Sequence, residues 1–179
     1  MPNMLKKALL ALGAIVLLFI ATPIFLPANF RVERSAQIDA PASVVYDQVN
    51  ILKNWNNWSP WNKYSDPTLE IYFEGPPAGV GATRRFKSEH SGGNGSITIR
   101  VAEPNKKVEY ELTMQDGFTA GGTITLNESA GVTDVSWAFF GELDYFMRYF
   151  NLLKSQMNDT FDEGLLRLKS ISEKKAATP

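Results

Sequence analysis

The sequence predicts an α+β chain: a curved antiparallel sheet of about seven strands carrying one long C-terminal helix, behind an apolar N-terminal helix. Three observations predict it. The 19 residues from Ala8 to Leu26 hold no charge. Six segments between Thr68 and Glu142 read as strands separated by turn residues. Apolar side chains then recur every three or four positions from Phe146 to Ile171.

At 1.5 Å rise per residue, the uncharged run makes roughly 28 Å of helix, close to the ~30 Å hydrocarbon thickness of a bilayer. A cleaved secretory signal has a core of about 7 to 15 residues followed by a small-x-small site. This run is longer, and Leu26-Pro27-Ala28 puts a large residue where a small one is wanted. It therefore reads as an uncleaved signal anchor, with a cleaved peptide as the alternative. Lys6 and Lys7 precede the run, whereas Arg31 and Arg34 follow it beside Glu33. That bias, though slight, predicts a cytoplasmic N-terminus at a bacterial inner membrane, single-pass, with the domain facing the periplasm. Pro23 should kink the helix near its outer end, and lipid or Thr22 would absorb the lost hydrogen bond. The expected division is residues 1–29 as anchor, 30–172 as one domain and 173–179 as a flexible tail.

In the first strand Val32, Ala36 and Ile38 alternate with Glu33, Ser35, Gln37 and Asp39. Pro41 sits where a first helical turn tolerates it, and Val45, Val49 and Leu52 follow at helical spacing. A short helical or irregular piece spans Lys53 to Tyr64. The strands then read Thr68 to Glu74, Ala82 to His90, Gly95 to Glu103, Lys107 to Gln115, Phe118 to Asn127 and Val132 to Glu142, an antiparallel meander. Phe146, Phe150, Leu153, Met157, Phe161, Leu165, Leu168 and Ile171 form the apolar stripe of one amphipathic helix roughly 40 Å long. Such a stripe needs a broad surface, and the sheet offers one.

This order resembles the helix-grip fold of the birch-pollen-allergen-like, START and polyketide-cyclase proteins, the SRPBCC superfamily. The resemblance covers residues 30–172 and rests on pieces that match in sequence: Ile38-Asp-Ala-Pro41 before Val44-Val45-Tyr46, Trp55-Asn-Asn-Trp58-Ser-Pro-Trp61, Gly79-Val-Gly81, Glu103-Pro-Asn-Lys106 and Gly164-Leu-Leu-Arg-Leu-Lys169. It implies an apolar cavity between sheet and long helix that holds lipids, sterols or polycyclic molecules. It brings no universal catalytic residue with it.

Composition narrows the chemistry. The net charge is −1, which gives nucleic acid no basic face to bind. Without cysteine there is no disulfide, thiolate catalysis or cysteine metal site, and with one histidine no histidine cluster. Nucleophile-elbow, phosphate-loop and zinc-protease motifs are absent from the sequence. No cofactor or metal is expected, and nothing bears on oligomeric state. His90 lies beside Ser91-Gly-Gly-Asn-Gly95 and reads as a solvated hairpin-tip residue.

The candidate site is therefore a cavity. Trp55, Trp58 and Trp61 fall on one side of a short helix, suited either to gating a cavity mouth or simply to plugging one end of the core. Strand parity turns Ile97, Ile99 and Val101, then Val108, Tyr110, Leu112 and Met114, then Val135, Trp137 and Phe139 inward. Phe86 takes Arg84 inward with it, and a buried guanidinium needs a carboxylate or an anionic ligand group; a rim position with the head in water is the plain alternative. Phe150 and Met157 would close the cavity from the helix. Gly121-Gly122 leaves room, for a cavity or for a bulge. The expected function is membrane-anchored binding of a small hydrophobic or amphiphilic ligand without catalysis. The alternatives are a polyketide-cyclase-type enzyme using the same cavity, and an interaction module whose interior is filled.

If the anchor is retained, detergent is needed to release the full-length protein, and protease added to spheroplasts removes the domain. A mature chain beginning near Asn29 would refute retention, and protection of the domain would refute the orientation.

Overall fold

The alternation of β1 (Asn29–Ile38) buries Phe30, Val32 and Ile38 on one face, with Arg34 and Ala36 sharing that parity. The computed structural model describes residues 2–89 and 93–178, so His90 with its neighbours Ser91 and Gly92 lies outside the described residues. After β1, Pro41 sets the entry to α2 (Ala42–Asn50), whose first-turn Ala42 N–H donates to the Glu128 carboxylate at 2.7 Å. A short α3 (Trp55–Trp58) follows. Then come β2 (Glu70–Glu74), β3 (Thr83–Lys87), β4 (Gly95–Glu103), β5 (Lys107–Met114), β6 (Thr119–Ser129) and β7 (Val132–Glu142). They form one antiparallel sheet in the order β1-β7-β6-β5-β4-β3-β2, so the meander is closed at its late edge by the first strand. This is the expected α+β helix-grip arrangement. Strand β2 starts at Glu70 rather than Thr68, because the Thr68 N–H and hydroxyl both donate to the Asp66 carboxylate and hold that residue in a turn.

The long helix is shorter at its start than its stripe predicts. Phe146–Leu153 is a 3-10 segment, and α4 runs over Lys154–Ala176. Phe146 is exposed, whereas Phe150 packs on a small cluster of Phe30, Ala120 and Leu143. The α4 stripe proper, Phe161, Leu165 and Leu168, is buried against the sheet. Polar contacts fix its position on β1. Arg34 grips Asp162 with two donors at 2.7 and 2.6 Å, and Lys169 Nζ donates to the Gln37 carbonyl at 2.7 Å. The helix continues to Ala176, past the expected start of the tail, and its Glu173 carboxylate accepts the Asp39 N–H at 2.9 Å.

Two parity expectations change. Register slips in β4 between Ile99 and Val101, so Ile99 stays opposite Tyr110 while Val101 falls opposite Glu109 and Ala102 opposite Val108. The extra residue turns Val101 away from the interior and Ala102 onto the core. The room at Gly121-Gly122 is neither cavity nor bulge, for register through it is continuous. A Cβ on Gly122 would lie 2.0 Å from Tyr110 Cζ, and one on Gly121 would lie 2.7 Å from a Phe140 ring atom. Each glycine is the floor on which an aromatic ring lies.

Upstream of β1, α1 (Pro2–Ala21) leads into a 3-10 turn at Thr22–Phe25. The stretch Asn3–Phe25 is the one among the described residues long and apolar enough to cross a membrane, as an anchor or a signal sequence would be.

Two stability outcomes follow from this packing. Phe161→Asp, which buries a charge against the sheet, should destabilise the domain by at least about 4 kcal/mol, whereas Leu166→Lys on the exposed side of α4 should stay within about 0.5 kcal/mol. Gly122→Ala should cost about 1 to 3 kcal/mol through displacement of the Tyr110 ring, and Tyr110→Leu in that background should cost less than the two single changes added together. Denaturant midpoints measure both, and strict additivity in the second case would mean that Tyr110 does not rest on Gly122.

Candidate functional site

The sheet and α4 meet at one end through a belt of aromatic rings. Trp137, from the middle of β7, stands 4.1 Å from Phe161 of α4 and 5.2 Å from Trp58 of α3, ring centre to ring centre. Trp55 meets Trp58 at 5.0 Å and Tyr110 edge-on at 5.1 Å. Each indole nitrogen in this belt has an acceptor: Trp55 donates to the Val49 carbonyl, Trp58 to the Gln48 carbonyl, and Trp137 to the Tyr110 hydroxyl at 2.8 Å. Aromatic pairs in these offset and edge-on geometries each add about 0.5 to 1.5 kcal/mol beyond their burial. The belt is therefore a rigid wall.

Beyond it lies a cavity of about 400 Å³. Trp55, Tyr110, Trp137 and Phe161 form its inner wall. Phe86, Ile97, Leu112 and Met114 line it from β3, β4 and β5, and Phe139 from β7. Phe30, Leu143, Met147 and Phe150 line the end nearest β1, and Met157 lines it from α4. Trp61 and Met147 remain 41% and 40% exposed, so the chamber opens to the outside beside them.

All the expected cavity residues except Trp58 line this space: Trp55, Trp61, Arg84, Phe86, Tyr110, Met114, Trp137, Phe139, Phe150 and Met157. Trp58 does not reach it. It is fully buried behind Trp55 and Trp137, where it plugs the core. The three tryptophans do not share one helical face, because α3 ends at Trp58 and Ser59-Pro60 redirects the chain before Trp61. Sequence parity did not single out Phe30, Leu143 or Met147, which reach the cavity only because β1 pairs with β7 and the 3-10 segment folds back over that edge. The alternation of Phe30 with Val32 was their one legible signal.

Besides the Tyr110 hydroxyl, the polar side chains on the lining are Arg84, Ser65, Asp66 and Asp116. Arg84 is 2% exposed; its Nη2 donates to the Trp61 carbonyl at 3.0 Å, while its Nε has no partner. Among the described residues no carboxylate forms an ion pair with it. Burial pulls its pKa down to about 10, which still leaves a cation at neutral pH. Asp66 accepts from Thr68 and from the Ser88 hydroxyl. Burial raises the pKa of Tyr110, and the Trp137 N–H partly opposes this, so the phenol keeps its proton. With its oxygen accepting from Trp137, that proton is available to a guest in the cavity.

The fold recurs in solved bacterial structures. Protein MLL2253 from Mesorhizobium loti is similar at 16% identity over 81% of this chain and 98% of that one, TM-score 0.59. The Aha1 dimer from Colwellia psychrerythraea is similar at 17% identity, 80% and 96% coverage and TM-score 0.58. Protein CV1439 from Chromobacterium violaceum is similar at 20% identity, 82% and 99% coverage and TM-score 0.56. At these identities the likeness speaks of fold alone. No curated protein matches the sequence. Residues 29–173 match the model of one family, and on that match, with a sheet, helix and cavity of the kind the sequence resemblance implies, the chain belongs to the polyketide cyclase / dehydrase and lipid transport family.

Proposed function

We propose that the domain binds a small amphiphile whose apolar body fills the cavity and whose anionic head meets Arg84, and that it does so tethered at the outer face of a bacterial inner membrane by an uncleaved helix. The observation that carries this reading is the buried Arg84 cation on a largely apolar wall, which also carries Ser65, Asp66 and Asp116. A cavity of about 400 Å³ lies within the ~300 to 1,000 Å³ usual for ligand sites, which favours a binding module over one with a filled interior. A guanidinium kept this far from water, and with no ion pair to a carboxylate among the described residues, gains most from an anionic guest, because its own desolvation has already been incurred on folding. The Asp66 carboxylate on the same lining is directed to Thr68 and Ser88, whose hydroxyls donate to it. The lipid-transport part of the family description supports the same reading.

A long-chain fatty acid should bind and change tryptophan emission through Trp55, Trp61 and Trp137, and its neutral alcohol should bind more weakly. A charge-assisted hydrogen bond contributes about 1.5 to 3 kcal/mol, so the preference should be roughly tenfold to a hundredfold. Arg84→Met keeps an apolar stem and removes the charge; it should erase the preference while alcohol binding persists, which also shows that the variant is folded. Equal wild-type affinities would remove Arg84 from ligand recognition, and binding of neither would overturn the binding reading.

A further inference from the structure

The 3-10 segment Phe146–Leu153 sorts its side chains by ridge. At three residues per turn, positions i and i+3 align. Met147 and Phe150 lie on one ridge and line the cavity. Arg148 and Asn151 lie on the next, and donate to the Pro23 and Pro27 carbonyls of the chain leaving α1. Phe146, Tyr149 and Leu152 make the third. Phe146 is 58% and Leu152 63% exposed, while Tyr149 stacks on Phe19 of α1 at 4.9 Å.

The same segment repairs the end of the apolar helix. Pro23 has no N–H, so the Phe19 carbonyl four residues earlier lacks its helical donor. The Tyr149 hydroxyl donates to it, the Tyr145 hydroxyl donates to the Ile20 carbonyl, and Thr22 donates to the Leu18 carbonyl at 2.7 Å. In hydrocarbon each such carbonyl left unsatisfied costs several kcal/mol, whereas in water it costs little. Phe19 lies roughly 10 Å of helix before Leu26, so these tyrosines sit at the depth where interfacial side chains dip into the headgroup and acyl boundary.

We infer that the Phe146–Tyr149–Leu152 ridge is a membrane-seating surface, continuous with the outer end of the anchor, and that it turns the Met147–Phe150 side of the cavity toward the bilayer so that an apolar guest enters from lipid rather than from water. This inference rests on the anchor reading proposed above. The occupant is lipid because the ridge is contiguous with a membrane-length helix and makes hydrogen bonds to its terminal carbonyls. Apolar contact supplies the attraction, since Glu142 and Asp144 before the segment balance Arg148 within it and Lys154 after it and leave no basic cluster for anionic headgroups.

The chain has no cysteine, so single-cysteine labelling is clean. Full-length protein carrying an environment-sensitive fluorophore at Ile24→Cys, Phe146→Cys, Leu152→Cys or Lys106→Cys would be reconstituted in phosphatidylcholine vesicles with shallow spin-labelled lipid. Labels at 24, 146 and 152 should be quenched and the label at 106 should not. Quenching at 24 without quenching at 146 and 152 overturns the seating while sparing the anchor, and no quenching at 24 overturns the anchor and the seating with it. Shielding of 146 from aqueous quencher without lipid quenching would assign the ridge to a protein partner and also overturn the inference. In Phe146→Asp/Leu152→Asp protein, uptake of vesicle-dissolved fatty acid should slow severalfold at unchanged equilibrium affinity; an unchanged rate overturns the entry route.

Discussion

Much of this domain depends on how closely α4 approaches Trp137. The indole lies midway along β7, between Arg34 of β1 and Ile124 of β6 in register, and its ring faces the helix. Gly164 makes the approach possible: a Cβ there would stand 2.8 Å from the indole and 3.0 Å from Pro60. With no side chain at that point the helix comes down onto Trp137 and Pro60 together, and the loop carrying Trp61 is held between them. Phe161, one turn earlier, completes the contact at 4.1 Å. The helix is thus pressed to the sheet at this point.

The cavity is the counterpart of that contact. A straight helix pinned at Gly164 against a curved sheet cannot follow the surface everywhere, and the space opens on the side of its first turns. There Met157, Phe150 and Met147 line the cavity, with Phe150 still packed edge-on against Phe30 at 5.2 Å. Empty apolar space of this size costs stability, by about 24 cal/mol per Å³ where a well-packed core loses a side chain. The rigid belt of Trp55, Trp58, Tyr110 and Trp137 offsets this cost by resisting collapse, since each ring is braced by another and each indole nitrogen by an acceptor. Arg84 is then held at a wall that does not close around it.

The N-terminal apolar helix and the cavity are neighbours in space for a reason already present in the pairing of strands. Strand β1 begins three residues after Leu26, and it pairs with β7, whose end leads into the 3-10 segment. The chain entering the domain and the chain approaching α4 therefore meet at the same edge. Leu143 donates its N–H to the Ala28 carbonyl at 2.7 Å, continuing the ladder toward the membrane-length helix. A connection this short leaves the domain few orientations relative to α1, and the tyrosine contacts with α1 narrow them further.

The sequence by itself determined whatever depends on local periodicity. Alternation specified the strands of the meander, a 3.6-residue stripe specified α4 from Met157 onward, and an uncharged run of 19 residues specified the apolar helix. Parity also placed Arg84, Tyr110 and Phe139 on the inner face, because side chains alternate strictly wherever register is unbroken. Tertiary structure decided what parity and spacing do not encode. The bulge after Ile99 reversed Val101, since a single extra residue exchanges the faces of a strand. Phe146 to Leu153 continue the helical spacing, yet they wind as a 3-10 segment whose Arg148 and Asn151 bond to the carbonyls of Pro23 and Pro27, more than a hundred residues away. Trp58 and Trp61 are three residues apart, but one is sealed in the core and the other stands at the mouth, because Pro60 ends the short helix between them and is itself held under Gly164. In each case a long-range contact, invisible to local pattern, set the direction of a side chain.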